Sequence, residues 1–310
     1  MSERNLVIVG NGFDLVHNLE TKWSNFKEYL SQFDTELLYY LESCIECDSD
    51  LWSDFEKSLG RINRRIIYTD KLSDFDMIRN DEDEGNNHQM ADSIRHIEDL
   101  IIDGTKRSLN DWILSIDVNV DPICSIQRIL QKAQVITFNY TSTLEETYNI
   151  STNNIIYLHG KAVDLPAKNF HDYFEPDPVP EIVIGHGDDV DEIDVGSFAN
   201  SMSDEIVLDE VETEGHRDVL EELRKDTTKY MPRLKPILDS MNEYDNIYII
   251  GHSLSDIDAP YFHALASYIS NHTRIIVTYK AEFEQREEKI NRVKYLFPVQ
   301  AVIAKEIEEL

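Results

Sequence analysis

Short apolar runs, each followed by a turn residue, constrain the fold of this 310-residue chain more than any other feature. The runs contain no alternating polar residues, and strands that are buried on both faces have this composition. They cover residues 6–9, 135–138, 155–158, 182–184, 247–250, 275–279 and 299–303. Glycine, asparagine or histidine follows most of them. The runs therefore predict the buried strands of one sheet.

Helix-like segments separate several of these predicted strands. They cover residues 143–148, 219–230, 260–269 and 281–293. Strands that alternate with helices form parallel sheets with helices on both faces. We therefore predict an α/β fold with a doubly wound, mostly parallel sheet of the Rossmann or sirtuin-like kind.

A long helical block, roughly 23–130, lies between the first two predicted strands. Apolar residues recur there at three- and four-residue steps, as in Phe26, Leu30 and Phe33. The acidic stretch 81–87 interrupts the block and is expected to be a solvated loop. The predicted domains are therefore a nucleotide-binding α/β domain, 1–22 with 131–310, and a helical insertion, 23–130.

A second irregular region runs from Lys168 to Arg217, with no Lys or Arg between them. It is rich in Asp and Glu and carries Pro176, Pro178 and Pro180. This composition predicts a mostly exposed excursion around one short strand. A surface for a protein partner, or for a second copy of the chain, stays open as an alternative.

The charge of the chain limits its partners. With 60 acidic and 29 basic residues, the formal net charge is −31. Such a surface disfavours nucleic acid and anionic membranes, because both are recognised through cations. No apolar run approaches the length of a membrane span, so neither a membrane helix nor a secretory signal is expected.

Three cysteines are too few for a disulfide framework, so the chain is expected to be soluble and cytoplasmic. Cys44 and Cys47 form a single CxxC pair, which predicts core packing rather than zinc. No metal is expected.

Polar, small or titratable residues follow four of the predicted strands. In an open parallel sheet, ligands bind beyond the carboxyl ends of the strands, so these segments predict one site. They are GNGFD from Gly10, TFNYT from Thr137, HGK from His159 and GHSLSDID from Gly251.

The first segment is a glycine-rich turn from a strand to a helix. Glycines let a phosphate approach backbone N–H groups at the start of a helix. One G-x-G without a Walker lysine is a weak signal, and a tight turn with a structural Asp14 is the alternative. Lys161 and Arg224 are candidate helpers for a phosphate.

Asn139 and His159 follow two different predicted strands. Asparagine can fix a ribose hydroxyl or a water molecule, and histidine can then accept its proton near neutral pH. Because neither residue is a strong nucleophile, water or a ribose hydroxyl would attack.

In the last segment, Ser253 and Ser255 suit helix-cap or phosphate contacts, and Asp256 or Asp258 suits ribose hydroxyls. Capping without a ligand is an alternative for each of them. The role of His252 stays open.

Several motifs together resemble the AbiH family, which is associated with bacterial abortive infection, a defence against phage. They are LVIVGNGFDLVHNLET at 6–21, WSDFE at 52–56, ITFNYTSTLE at 136–145, YLHGK at 157–161 and IIGHSLSDIDAPYF at 249–262. The likeness extends over most of the chain.

The order of the motifs is also similar to sirtuin-like domains, which bind NAD. The likeness implies a catalytic Asn139 and a catalytic base at His159. The likeness implies nucleotide contacts from Gly10, Asn11, Gly12 and Ser253. The segments at the strand ends add further candidates for these contacts: Asp14, Thr137, Gly251, Ser255 and Asp256. A zinc-binding cysteine quartet is missing, which argues against protein deacylation more than against NAD cleavage.

Three functions follow as hypotheses. The first is an enzyme that cleaves NAD between nicotinamide and ribose during phage defence. The second is a module that senses a nucleotide or binds a partner without turnover. The third is a metal-dependent nuclease built on Asp14, Asp256 and Asp258, which the acidic charge disfavours.

Overall fold

A computed structural model gives the fold of the protein. It describes residues 3–46, 51–63, 66–67, 84–166, 177–187, 217–281, 286–297 and 301–310, and for 84–90 only the backbone. Among these residues, no helix is long and apolar enough to cross a membrane.

Six parallel strands form one sheet in the described residues. They are β1 (Asn5–Val9), β2 (Ala133–Thr137), β3 (Ile155–Tyr157), β4 (Asn246–Ile250), β5 (Arg274–Thr278) and β6 (Val302–Lys305). Their order in the sheet is β3-β2-β1-β4-β5-β6, and every neighbouring pair is parallel. The predicted doubly wound parallel α/β fold is confirmed.

The strand order fixes where a ligand is expected to bind. From β1 the chain builds the sheet outward through β2 and β3, and then returns to add β4, β5 and β6 on the other side. The order therefore reverses between β1 and β4, and ligands of such folds bind beyond the carboxyl ends of the strands at this point.

Helices connect the strands, and the predicted helical insertion after β1 is present. The α-helices are α1 (Asn11–Val16), α2 (Trp23–Phe33), α3 (Thr35–Cys44), α4 (Phe55–Ser58), α5 (Glu84–Asp99), α6 (Thr105–Ser115), α7 (Cys124–Leu130), α8 (Thr143–Glu146), α9 (Val219–Glu222), α10 (Thr227–Tyr230), α11 (Lys235–Leu238), α12 (Ala259–Ala266) and α13 (Arg286–Leu296). A π-helix, Leu100–Gly104, precedes α6. Short 3₁₀ segments cover Leu51–Ser53, Leu59–Arg61, Thr152–Asn154, Met231–Leu234, Met241–Glu243 and Ile307–Glu309.

Both faces of the sheet are buried, as the unbroken apolar runs predict. Because side chains alternate along a strand, Leu6 and Ile8 of β1 pack in one core cluster while Val7 and Val9 pack in the other. All four side chains are fully buried. The central strand therefore holds the two layers of helices together.

A predicted strand and a predicted helix differ in the structure. Residues 182–184 form no strand: Val183 N–H donates to the carbonyl of His159 and Val183 O accepts from the Tyr140 hydroxyl. The helix predicted over 219–230 is broken into α9 and α10. The Asp226 side chain accepts from Thr228 N–H and so begins a new helix.

The predicted acidic loop 81–87 is in part a helix, because Glu84–Asp99 is α5. Residues 81–83 lie outside the described part of the chain, as do 168–176 and 188–216 of the predicted excursion and Cys47 of the CxxC pair. Cys44 is buried, as predicted for core packing.

The described chain divides into two compact units. The first contains the whole sheet and covers residues 1–22, 110–183 and 226–310, and the second covers 23–109 and 184–225. The units share the boundary after Lys22 with the predicted domains but assign residues 110–130 and 184–225 differently. The predicted domain division stays a prediction.

Aromatic side chains form the core of the second unit. Trp52 stacks on Phe55 with ring centroids 4.9 Å apart, and Phe26 contacts both rings edge-on. The buried ammonium of Lys225 lies 2.9 Å from a carboxylate oxygen of Glu56. The WSDFE segment thus supplies packing and a buried ion pair to this unit.

Glycines bring the loop after β1 against the loop after β4 in the first unit. Gly12 N–H donates to the carbonyl of Gly251 at 2.8 Å, and Gly10 N–H donates to that of Ile250 at 3.1 Å. A Cβ on Gly251, whose φ is +63°, would lie 2.2 Å from Phe13 N. Only glycine fits this contact between two backbones.

Gly251→Ala is expected to destabilise the fold by about 3 kcal/mol or more, because it adds both left-handed strain and a backbone clash. Chemical denaturation measures the change in the free energy of unfolding. Gly104→Ala is the control: apart from the backbone of its own helix, its nearest neighbour is the flexible Leu100 side chain, so the change should stay within about 1 kcal/mol. A Gly251→Ala variant as stable as the wild type would refute the packing argument.

Candidate nucleotide-binding and catalytic site

The candidate site lies in the first unit, where the loops after β1, β2, β3 and β4 meet at the carboxyl edge of the sheet. Strands β1, β2 and β4 are direct neighbours, and β3 pairs with β2. The four segments singled out in the sequence therefore lie together.

Asp14 is the centre of the hydrogen-bond network at this edge. Its carboxylate accepts from the Asn139 amide at 3.0 Å, the Thr141 hydroxyl at 2.8 Å and the Thr143 hydroxyl at 2.9 Å. All four side chains are buried. The first helix is thereby fixed to the loop that follows β2.

Burial dominates the proton affinity of Asp14. The loss of water raises its pKa from 3.8 to about 6, although the hydrogen bonds from Thr141, Thr143 and Asn139 each lower it. The carboxylate is ionised near neutral pH and is then an acceptor for all three donors.

The side chain of Asn139 has a fixed orientation. An ionised Asp14 has no proton to donate and can act only as an acceptor. The Asn139 amide nitrogen must therefore face Asp14, and the amide oxygen Oδ1 must point elsewhere. This oxygen is buried and has no hydrogen-bond partner among the residues that the structure describes. Thr137 also holds Asn139 in place, because its hydroxyl accepts a hydrogen bond from the backbone N–H of Asn139 at 3.0 Å.

His159 lies at the matching position of the next strand. Thr137 of β2 pairs with Tyr157 of β3, so Asn139 and His159 each follow their strand by two residues. The His159 ring contacts Phe138 edge-on at a centroid distance of 4.8 Å. Gly160, with φ +86°, turns the chain directly after it.

Asp258 and His252 belong to the same buried group. Asp258 Oδ1 lies 3.4 Å from Nε2 of His159, and its Oδ2 lies 3.8 Å from Nε2 of His252. Ser255 donates its hydroxyl to Oδ2 at 3.1 Å. Sequence reasoning left His252 open and gave Asp258 only as an alternative, because nothing in GHSLSDID tells which aspartate turns inward.

Tyr261 is a further residue that the sequence did not single out. Its side chain is fully buried, 5.9 Å from the His159 ring and 6.0 Å from the Phe138 ring. The hydroxyl has no hydrogen-bond partner in the described part of the chain. Desolvation, and then the charge of Asp258, raise the pKa of Tyr261, so its phenol stays protonated.

Other predicted residues lie at the rim. Ser253 and Asn11 are exposed, and the Asn11 amide donates to the carbonyl of Thr21 at 2.7 Å. Asp256 is exposed and accepts from Arg292 at 2.7 Å. Their roles as nucleotide contacts stay predictions.

The two predicted helper cations are bound to carboxylates. Lys161 pairs with Glu145 at 2.8 Å in the first unit, and Arg224 pairs with Glu221 at 3.1 Å in the second.

The three carboxylates of the nuclease hypothesis have different partners. Asp14 accepts from the loop after β2, Asp256 pairs with Arg292 and Asp258 lies between two histidines. Across the described ranges, no group of three or more His, Cys, Asp or Glu residues could hold a metal ion. The structure thus gives the nuclease hypothesis no support.

Comparison with protein families decides the membership of the chain. The family model described as "Bacteriophage abortive infection AbiH" matches residues 6–279, which is most of the sequence. The chain belongs to the AbiH family. The match includes every segment of the candidate site in this AbiH protein. No curated protein matches its sequence.

Among solved structures, the AbiH chain is similar to one described as "Structural Basis for the Mechanism and Regulation of Sir2 Enzymes". The sequences are 9% identical, the TM-score is 0.40, and the likeness covers 100% of this chain and 89% of the other.

Asp14 is expected to make stability depend on pH between about 4 and 6. In this window the unfolded Asp14 is ionised while the folded one is still protonated, so its contribution falls as the pH rises and stays low above pH 6. The loss is about 3 kcal/mol, since the pKa rises from 3.8 to about 6. Asp14→Asn should lack this step.

The measurement is the free energy of unfolding of both proteins at a series of pH values. At each pH, subtracting the value of Asp14→Asn from that of the wild type cancels the contribution of the other carboxylates. A difference that stays constant from pH 4 to pH 7 would contradict the raised pKa of Asp14.

Tyr261→Phe is expected to leave the melting temperature unchanged or slightly higher, because the lost hydroxyl has no partner in the described residues. Tyr148→Phe is the matched control. Its buried hydroxyl bonds to His17 Nε2 at 2.7 Å and accepts from Ile123 N–H at 3.1 Å. The free energy of unfolding of Tyr148→Phe should fall by about 1–3 kcal/mol, and its melting temperature should fall with it. An equal fall in the melting temperature of both variants would show that the Tyr261 hydroxyl is held by a structural contact.

Proposed function

We propose that this AbiH protein is an effector of abortive infection that binds NAD and cleaves the bond between nicotinamide and ribose. Membership of the family supports the role in phage defence. The strand order supports a nucleotide ligand, because it places the site at the reversal point of a doubly wound sheet. The cytoplasm, which holds the NAD pool, is the proposed location.

The Asn139 amide is the observation that carries the proposal. Asp14 fixes its nitrogen at 3.0 Å, and the buried oxygen Oδ1 has no partner among the described residues. A buried acceptor without a partner costs about 1–3 kcal/mol. A ribose hydroxyl or a water molecule can donate to it, and the sequence motif predicts this same role.

His159 is the proposed base, beside Asn139 at the matching position of the neighbouring strand. A water molecule attacks C1′ of the nicotinamide ribose, and its oxygen forms the new bond. The bond from C1′ to the pyridine nitrogen breaks, and nicotinamide leaves as a neutral molecule with the electron pair. The water proton passes to His159, so the products are nicotinamide, ADP-ribose and one proton.

The glycines of the first loop have a structural role that limits how a phosphate is held. The N–H groups of Gly10, Gly12 and Phe13 already donate to backbone carbonyls. We therefore assign the phosphate contacts to exposed groups at the rim, above all Asn11 and Ser253. This assignment predicts that the hydroxyl of Ser253 contributes to NAD affinity.

His159→Ala and Asn139→Ala are expected to keep the NAD level of infected cells close to that of uninfected cells, whereas the wild type depletes it. Losing the base or the ribose contact should slow cleavage by about 100-fold or more. The measurement is cellular NAD after phage infection, beside the survival of the culture.

Thr143→Val is the control for the Asn139 variant. It also removes one donor to Asp14, but it leaves the Asn139 oxygen in place. NAD depletion should survive in Thr143→Val even where the melting temperature falls. If wild-type cells resist phage with NAD unchanged, the proposal is wrong. If NAD binds to the protein and stays intact, the sensing module is the better account.

A further inference from the structure

A buried carboxylate lies between two buried histidines at the carboxyl edge of the sheet. Asp258, His159 and His252 are all at most 6% exposed. The carboxylate faces the Nε2 atoms of both rings, at 3.4 and 3.8 Å, and accepts one hydrogen bond from Ser255. The positions of the protons in this group follow from its neighbours.

His252 is held in one neutral form. Its Nδ1 accepts a hydrogen bond from Leu254 N–H at 2.8 Å, so this nitrogen carries a lone pair. A proton on Nδ1 would set two donors against each other. The Lys289 ammonium donates to the carbonyl oxygen of His252 at 2.8 Å and so holds the backbone of this residue. The single ring proton is therefore on Nε2, toward Asp258.

The loop backbone is strained in a way that fixes this form. Leu254 is buried and has φ +64°, in the left-handed region that bulky residues rarely adopt. That conformation lets its N–H reach back to His252, and its carbonyl accepts from Arg292 at 2.7 Å. Strain of this kind persists where the surroundings over-determine the geometry.

His159 is then the group that can balance the charge of Asp258. A buried carboxylate is costly without a compensating charge. Among the described groups next to His159, His252 is a neutral hydrogen-bond donor and the Tyr261 phenol is protonated. The Arg233 guanidinium is bound to the carbonyl of Leu158 and to Glu181.

We propose that Asp258 is the positioning residue of the base: it holds a proton on Nε2 of His159 and so leaves Nδ1 as the basic nitrogen. His252, fixed as a donor, holds the second oxygen of Asp258 in place. When His159 takes the proton of the attacking water, Asp258 stabilises the imidazolium. A carboxylate that orients a histidine base works in the same way in Ser-His-Asp enzymes. The catalytic part of this inference rests on the proposed function, and the arrangement of protons does not.

Nitrogen-15 NMR of the protein labelled at histidine tests the proton positions directly, without substrate. The expected result for the wild type is a proton on Nε2 of both His159 and His252 at neutral pH. In Asp258→Asn, His159 should lose its single form and populate the form with a proton on Nδ1. Asp245→Asn, which removes the same charge before the start of β4, should change neither ring.

NAD cleavage tests the catalytic part with the same variants. Asp258→Asn should lower kcat by about 100-fold or more with KM within a few-fold, and the acid limb of its pH profile should move. Asp245→Asn should match the wild type.

A proton on Nδ1 of His159 in the wild type would overturn the inference, even if Asp258→Asn does not fold. An Asp258→Asn protein with unchanged rings and unchanged kcat would overturn it as well. The expected proton positions in a wild type that does not cleave NAD would contradict the proposed function and support the arrangement of protons.

Discussion

The three hydrogen bonds that the Asp14 carboxylate accepts hold the candidate site together. They join the first helix to Asn139 and Thr141 of the loop after β2 and to Thr143 at the start of α8. The carboxylate is buried, and burial raises its pKa to about 6, so the fold keeps this contact at a cost in stability near neutral pH. The same contact turns the oxygen of Asn139 away from Asp14. In the proposed function, this oxygen accepts a hydrogen bond from a ribose hydroxyl or a water molecule.

The other side of the site depends on a backbone contact and a second carboxylate. Gly12 and Gly251 bring the loops after β1 and β4 so close that no Cβ fits between them. The loop after β4 then turns Asp258 inward, beside His159 and His252. The chemistry of the two sides differs: Asp14 fixes an amide, and Asp258 faces two imidazoles. Each carboxylate is proposed to orient a neighbouring side chain, Asn139 in the case of Asp14 and His159 in the case of Asp258.

Much of this arrangement could be predicted from the sequence, because unbroken apolar runs and the residues that end them are local signals. They predicted the parallel sheet and the edge that Asn139 and His159 share. The run 182–184 was misleading, because its backbone bonds to His159 and Tyr140 rather than to a strand. The loop before Asp258 contains Leu254 at a left-handed φ, and a leucine at that position does not reveal such a backbone. Tyr261 reads as an ordinary helix residue until its hydroxyl is seen without a partner in the described chain.

Cleavage of NAD in water labelled with oxygen-18 would show whether water attacks C1′ of the nicotinamide ribose. The protein would be purified from phage-infected cells, so that an activating step in the cell has occurred, and the products would be identified by mass spectrometry. We expect equal amounts of nicotinamide and ADP-ribose, with one labelled oxygen in the ADP-ribose and no product from His159→Ala. Intact NAD, or cleavage at the pyrophosphate instead of at C1′, would contradict it.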